Sequence, residues 1–438
     1  MGIPGFKNFI QKLSIFRHNA SLLAAIIIAV VAIVLFIPTQ LISSKLKERI
    51  TTQSISKGRD VQNMDAVSGD QYKVEQQYQK SYADDANQIE LLAKNSTQRE
   101  LLSYTILPEP KDQSLLIFEE FGERFRAGVE RLIAGINALD CPTDAELNRS
   151  LENSALRSRF GGRRATMTRS FTFSRYFRGS FRILNDMDFM IVDELCREKA
   201  KSASVYAHPA DFSGYEFWGE YQNPGRDQAV KDCWYWQLGY WVIEDVIDTI
   251  AACNAGSDSV FTSPVKRLLN VSFTLKERRM RRQRVVAVAG PRVMRRSTED
   301  KPSYVLSVGE GLTEPCSARF SDDDIDVIHF NVTVLVSAEA VLPFMQELCK
   351  AKEHTFRGWD GRLDPPQTSK HNQITILETN IEPIDPESEL HTLYRYGEEA
   401  VVELDLICEY IFNKAGYDEI KPQAIRDELQ VEDTAVRR

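Results

Sequence analysis

Residues 20 to 37 read ASLLAAIIIAVVAIVLFI, eighteen positions in which Ser21 is the only polar side chain. As a helix rising about 1.5 Å per residue the run spans roughly 27 Å, close to the hydrocarbon thickness of a bilayer. Ile, Val and Leu occupy every face, so it has no polar side to turn to water. A core helix of this composition would need a domain to bury it, whereas its neighbour is a short leader with Lys7, Lys12 and Arg17 and no acid. Residues 20–40 are therefore expected to be a single transmembrane helix. The positive-inside rule places residues 1–19 in the cytoplasm and the bulk of the chain outside. A cleaved secretory signal has the same charged-then-apolar order. The following IPTQLISSKLKER has neither a small-x-small site nor a lipid-anchor cysteine, which favours retention of the anchor.

A chain of 438 residues with 43% hydrophobic content leaves room for two or three packed domains beyond the anchor. The net charge of -9 conceals segregation, because Arg is gathered in two stretches while acid dominates elsewhere, so net charge alone assigns no partner. Cys141, Cys196, Cys233, Cys253, Cys316, Cys349 and Cys408 all follow the span and form no CxxC. Their odd number leaves at least one unpaired within the chain; buried thiols with one or two bridges are expected.

From residue 41 to 107 the sequence is polar, with sparse apolar positions such as Leu46, Ile50, Val61, Met64, Val74, Tyr78, Ile89 and Leu92. That pattern predicts a helical stalk or weak coiled coil, either solvated or paired with another helix. Pro108 and Pro110 close it. A first α+β domain is expected over 108–320. It opens with an amphipathic helix from Ser114 to Leu139 and includes a short helix from Asp186 to Ala200. An aromatic helix follows around Trp234, Tyr235, Trp236, Tyr240 and Trp241, expected to pack into a core, then a strand near Val260 to Leu275.

Two Arg-rich stretches lie within this domain. Residues 153 to 185 carry Arg163, Arg164, Arg175 and Arg178 among other arginines and interleaved aromatics, with no acid. Residues 276 to 296 carry Arg279, Arg281 and Arg282, with Glu277 the lone acid. These seven arginines are the candidate contacts for an anionic partner, either lipid head groups or an acidic protein. Arginine with aromatics also suits single-stranded nucleic acid, but that partner is not expected outside a membrane. A solvated basic face is the competing reading.

No catalytic motif stands out: there is no HExxH, GxSxG, P-loop or nucleotide-type glycine fingerprint, and the histidines are isolated. SDDDID at 321–326 lacks the spaced ligands and glycine of a calcium loop. The chain is therefore expected to be no enzyme and to hold no cofactor or metal. N-x-S/T triplets at Asn95, Asn148, Asn270 and Asn331 permit glycosylation only in a eukaryotic setting.

The last hundred residues are the most regular. DVIHFNVTVLV at 326–336 alternates Ile328, Phe330, Val332, Val334 and Val336 onto one face. A helix with Val341, Phe344, Met345 and Leu348 on one stripe follows, with Pro343 near its start; then a polar loop at 354–372, the strand QITILETNIEPI and the strand AVVELDLICEYIF at 400–412. Strand, helix, strand, strand, behind a basic leader, one span and a helical stalk, resembles the PilO and PilN proteins of type IV pilus machines and the similar GspM and GspL of type II secretion. The resemblance implies an α+β, ferredoxin-like domain over 321–421, a polar tail over 422–438, and a bitopic inner-membrane scaffold with a periplasmic bulk. Its implied partners are membrane lipid and PilN-like or other bitopic proteins, in homo- or hetero-oligomers. A surface adhesive or signalling protein of the same fold, or an exported enzyme without a recognisable motif, is the alternative. The chain is about twice the length of an ordinary PilO, and both Arg-rich stretches look like additions.

Overall fold

A computed structural model describes residues 20–55, 57–59, 69–112, 114–160, 186–222, 224–274, 300–306, 317–359, 365–385, 388 and 390–436. These divide into two units, one ending at Asn87 and the other spanning Gln88–Arg438.

The first unit contains helix α1, Ala20–Arg49, which ends in the π-helical turn Ile50–Ile55. The segment Ile28–Arg59 is long and apolar enough to cross a membrane, and none of its apolar window is buried. Ile28, Val30, Val31, Ile33, Val34, Leu35 and Phe36 are all exposed, as a helix apolar on every side must be when no protein covers it. Helix α2, Gly69–Ser96, runs from this unit into the second and buries no residue.

The second unit is a mixed α+β body. In chain order it comprises α3 (Leu116–Gly135), β1 (Ala138–Leu139), α4 (Asp144–Phe160), α5 (Asp186–Ser202), β2 (Val205–Tyr206), α6 (Tyr215–Gly219), α7 (Arg226–Cys253), β3 (Val265–Ser272) and β4 (Ile325–Ser337). Then come α8 (Val341–Leu348), β5 (Lys352–Phe356), β6 (Gln367–His371), β7 (Ile374–Pro383), β8 (Val401–Asn413), α9 (Lys414–Tyr417) and α10 (Gln423–Val436). Six strands form one sheet in the order β1-β2-β3-β4-β8-β7. The first three are parallel, and the pairings from β3 onward are antiparallel.

The period-two pattern fixes the core face of that sheet. Ile328, Phe330, Val332, Val334 and Val336 of β4 lie beside Leu404, Leu406, Cys408, Tyr410 and Phe412 of β8, all buried. Onto them pack Trp234, Trp241, Val242 and Val246 of α7, while Phe118, Phe121, Phe125 and Val129 of α3 complete the same cluster. The aromatic helix is thus core, as its sequence predicts. Helix α3 comes close enough because Gly122 presents no side chain: a Cβ there would sit 2.6 Å from Trp218. Helix α8 starts at Val341 behind a 3₁₀ turn, Ala338–Ala340, so Pro343 falls in its first turn where its missing N–H costs nothing.

Several expectations change. A boundary at residue 320 is not observed, because β3 pairs with β4 from Val265↔Val336 to Ser272↔Asn331 and ties both expected domains into one sheet. The stalk expected over 41–107 gives way after Ser96, since Arg99, Leu101, Ile106 and Leu107 are buried in the body. The loop expected at 354–372 contains an antiparallel hairpin, β5 with β6, in register Lys352↔His371 and Phe356↔Gln367. The polar tail expected from residue 422 is helix α10, whose Ile425 is completely buried. Among the described cysteines Cys141, Cys196, Cys233, Cys253, Cys349 and Cys408 are free thiols.

Candidate functional site

After α2 the chain enters the strap TQRELLSYTIL, residues 97–107, which the body grips along its length. Its anchor is Arg99, only 2% exposed. Helix α7 supplies the main counter-charge: Asp245 stands between Glu244 and Asp248 in the run WVIEDVIDTI, on a helix buried on most faces, and is 1% exposed. Arg99 Nη1 donates to Asp245 Oδ2 at 3.1 Å and to the Tyr410 hydroxyl at 2.5 Å. Its Nη2 lies 3.0 Å from Asp245 Oδ1 and 2.5 Å from Glu244 Oε2. Tyr410 in turn donates to Asp245 Oδ2 at 2.7 Å, and the side-chain amide of Gln373 meets the same hydroxyl. Helix α7 and strand β8 thus converge on one guanidinium, and the turn before β7 holds the Tyr410 hydroxyl that meets it.

The electrostatics suit a lock. Burial works against the charge of Arg99, but Asp245, Tyr410 and Glu244 outweigh it and raise its pKa above the ordinary value. Burial pushes the Tyr410 hydroxyl well up, keeping it a donor. His354 of β5, with Nδ1 4.0 Å from Asp245 Oδ1, is pushed down to about 4 by burial and by Arg99, so it is neutral at pH 7.

Backbone contacts hold the rest of the strap. Trp241 Nε1 donates to Glu100 O at 2.9 Å, and Leu102 N donates to Gln237 Oε1 at 2.9 Å. Arg124 of α3 reaches Leu102 O at 3.2 Å. At the end of α2, Lys94 pairs with Glu419 at 2.8 Å. Gly416 approaches so closely that a Cβ there would lie 1.9 Å from Thr97 Oγ1 and 3.1 Å from Lys94 O. Such a site immobilises a segment. Its charged groups are spent on one another inside the core rather than turned toward a substrate.

Two further polar clusters support the frame. Asp326 of β4, fully buried, takes Lys421 Nζ at 2.5 Å and the Tyr417 hydroxyl, fastening α9 and the entry to α10. Burial lowers the Lys421 pKa despite Asp326. On the other face of the sheet, Asn331 Nδ2 donates to Asp405 Oδ1 at 2.5 Å, and Thr333 Oγ1 to the same oxygen at 3.2 Å. Asn331 is 6% exposed with its amide committed, so that triplet is no glycosylation site in the folded chain. A cleft of about 250 Å³ opens beside Asn137, Ser204 and Asn254. There Ser204 Oγ donates to Ile136 O, and Asn254 Nδ2 to Ser204 O and Val265 O, so those groups are used in holding the backbone.

Arg163, Arg164, Arg175, Arg178, Arg279, Arg281 and Arg282, the arginines singled out from the sequence, lie outside the described residues. No group of His, Cys, Asp and Glu able to hold a metal occurs among the described residues. The strap's partners were missed by sequence reasoning, although one signal was present: three acids, Glu244, Asp245 and Asp248, interrupt the apolar run of the aromatic helix.

No protein-family profile matches the chain, and no curated protein sequence matches it. Among solved structures, the chain matches a crystal structure of a protein from Akkermansia muciniphila at 9% identity, over 68% of this chain and 96% of that one, with a TM-score of 0.21. At that score the likeness leaves fold and role to be argued from this chain's own residues.

Proposed function

We propose that this chain is a membrane-anchored, non-catalytic assembly component of the PilO/PilN kind, in an envelope-spanning pilus or secretion machine. In this reading α1 is the inner-membrane anchor, its leader is cytoplasmic, α2 is the stalk, and the α+β body is periplasmic. The body meets other bitopic proteins through its ferredoxin-like portion, in which β8 lies between β4 and β7 and α8 follows β4.

The observation that carries the reading is the strap. A helix with no buried residue is joined to a packed body by a segment whose arginine is clamped among Asp245, Glu244 and Tyr410. A solvated tether needs no such clamp, whereas a strut that passes position or force from helix to body does. The test is affinity purification of the full-length protein from its own membranes after mild crosslinking. Co-purification of other single-span proteins with short basic leaders, lost on Arg99→Met while membrane insertion persists, is the expected result. Recovery of the chain alone from such membranes overturns the proposal.

A further inference from the structure

The hairpin of β5 and β6 stands apart from the six-stranded sheet, its strands paired with each other alone. Alternation turns Lys352, His354 and Phe356 of β5 inward, while Glu353 and Thr355 face water. The register sets His371 beside Lys352 and Ser369 beside His354 on that inner side. A strand that buries one apolar side chain and two ionisable ones is held only weakly by the hydrophobic effect. Its contacts run along the strap and its anchor. His354 Nδ1 comes to 4.0 Å from Asp245 Oδ1, Ser369 Oγ donates to Asn95 O at 3.4 Å, and Arg357 Nε lies 3.7 Å from Glu100 Oε1.

The weak point of this arrangement is the imidazole of His354. Its Nε2 is buried with no hydrogen-bond partner, and its Nδ1 stops short of bonding Asp245. Asp245 is committed to Arg99, so a proton on His354 competes with the guanidinium for one buried carboxylate. Lys352 on the same strand and His371 on the paired one oppose that proton further. Tyr410 brings no charge, because burial pushes its hydroxyl well up, and Glu244 is turned to Arg99. Asp248 is raised to about 6 by burial and by Glu244 and Asp245 of its own helix, neighbours that stay whether the hairpin is down or lifted. Lys352, lowered by burial from the alkaline range, is held by the carbonyls of Glu347 and Lys350 and brings a constant charge.

Burial and Arg99 push His354 down to about 4, and burial lowers His371 as well. A hairpin lifted into water returns both to the ordinary histidine value of about 6.5. Closure is therefore fully favoured above about pH 6.5 and is lost as pH falls toward 4.

We propose that the β5–β6 hairpin is a proton-released clasp on the strap. Down, it seals Arg99 against Asp245. A proton on His354, seconded by His371, lifts it from its joints at Ala351 and Asn372, admits water to the seat of Arg99 and loosens residues 97–107 while the six-stranded sheet stays folded.

The test is hydrogen exchange of the full-length protein in detergent, read by mass spectrometry at pH 7 and pH 5 and corrected for the intrinsic pH dependence of exchange. A His354 value of about 4 with the hairpin down and about 6.5 with it lifted predicts a loss of protection of about twentyfold at pH 5. The loss is expected in 352–371 and 97–107 together, with 326–336 and 402–412 unchanged. His354→Gln, neutral at both pH values, is expected to leave at most about fivefold, from His371. His329→Gln removes a histidine of like burial on the other face of the sheet and is expected to leave the full loss. Equal hairpin protection at both pH values, a loss shared by the sheet strands, a hairpin that opens over a protected strap, or a full loss in His354→Gln overturns the proposal. Should a variant fail to fold at pH 7, the unaltered chain decides alone: joint loss in hairpin and strap supports the clasp, and its absence overturns it.

Discussion

Replacing Arg99 by Met keeps much of the side chain's length and removes its charge. Asp245, 1% exposed, then loses its cation in a buried site, and the Tyr410 hydroxyl keeps only Asp245 and Gln373. Breaking a buried pair from one side costs about 3–5 kcal/mol, most of it the penalty on the stranded charge. Glu244 adds little, because its side chain is 36% exposed and water screens it. For a body the size of Gln88–Arg438 a loss of 1 kcal/mol lowers Tm by about 1–3 °C, so Arg99→Met is expected to lower it by about 3–15 °C. Arg99→Lys, which keeps the charge but cannot fork among three acceptors, is expected to cost about 1–3 kcal/mol. The double variant Arg99→Met, Asp245→Leu removes both charges and is expected to regain most of the loss, with a coupling of at least about 1.5 kcal/mol. Thermal unfolding of the full-length chain in detergent, followed by tryptophan fluorescence, measures all three. An Arg99→Met Tm within 1 °C of the unaltered chain, or strictly additive single changes, would refute the lock.

Other perturbations read different parts of the frame. His329 and His354, 3% and 5% exposed, are both held down to about 4 by burial, so the folded body keeps them neutral while the unfolded chain takes up protons near the ordinary histidine value. Their contribution is fully present above about pH 6.5 and is lost as pH falls toward 4, by about 1.4 kcal/mol per unit for each group; His354→Gln should flatten the acid limb of a urea-midpoint profile, and an unchanged slope would count against it. Lys421→Met leaves Asp326 with Lys414 at 3.5 Å and the Tyr417 hydroxyl, and is expected to cost about 1–3 kcal/mol, with Asp326→Asn in the same background restoring part of it by the same assay. Gly416→Ala forces Thr97 or the end of α2 to move and is expected to destabilise by about 1–3 kcal/mol, with earlier proteolytic cleavage in the strap. Deleting residues 422–438 exposes the pocket of Ile425 and is expected to lower Tm measurably, whereas a disordered tail would leave it unchanged.

What could be read in advance was local periodicity. The alternation at 326–336 and 400–412 marked β4 and β8 and their core face, and the stripes at 114–139 and 234–250 marked α3 and α7. Features that depend on partners distant in sequence were not legible. KEHTF and QTSKH carry too few apolar residues to announce strands, and they become one by pairing with each other. The strap reads as polar stalk because Arg99 looks like any solvated charge until Asp245 and Tyr410 are brought to it. β3 and β4 are separated by the second Arg-rich stretch, so nothing local signalled that one sheet would cross it.

The strap also has a place in time. Arg99 is separated from Asp245 by 146 residues and from Tyr410 by 311. Synthesis runs from the N-terminus, so α1 and α2 exist long before β8 does. Half of the arginine's seat arrives with α7, and the rest only when the penultimate part of the chain has been made and has paired beside β4. Seating of the strap therefore reports, at the base of the helix, that the far end of the chain is complete. A chain truncated before residue 410 has the same α1 and α2 but leaves Arg99 without the Tyr410 hydroxyl.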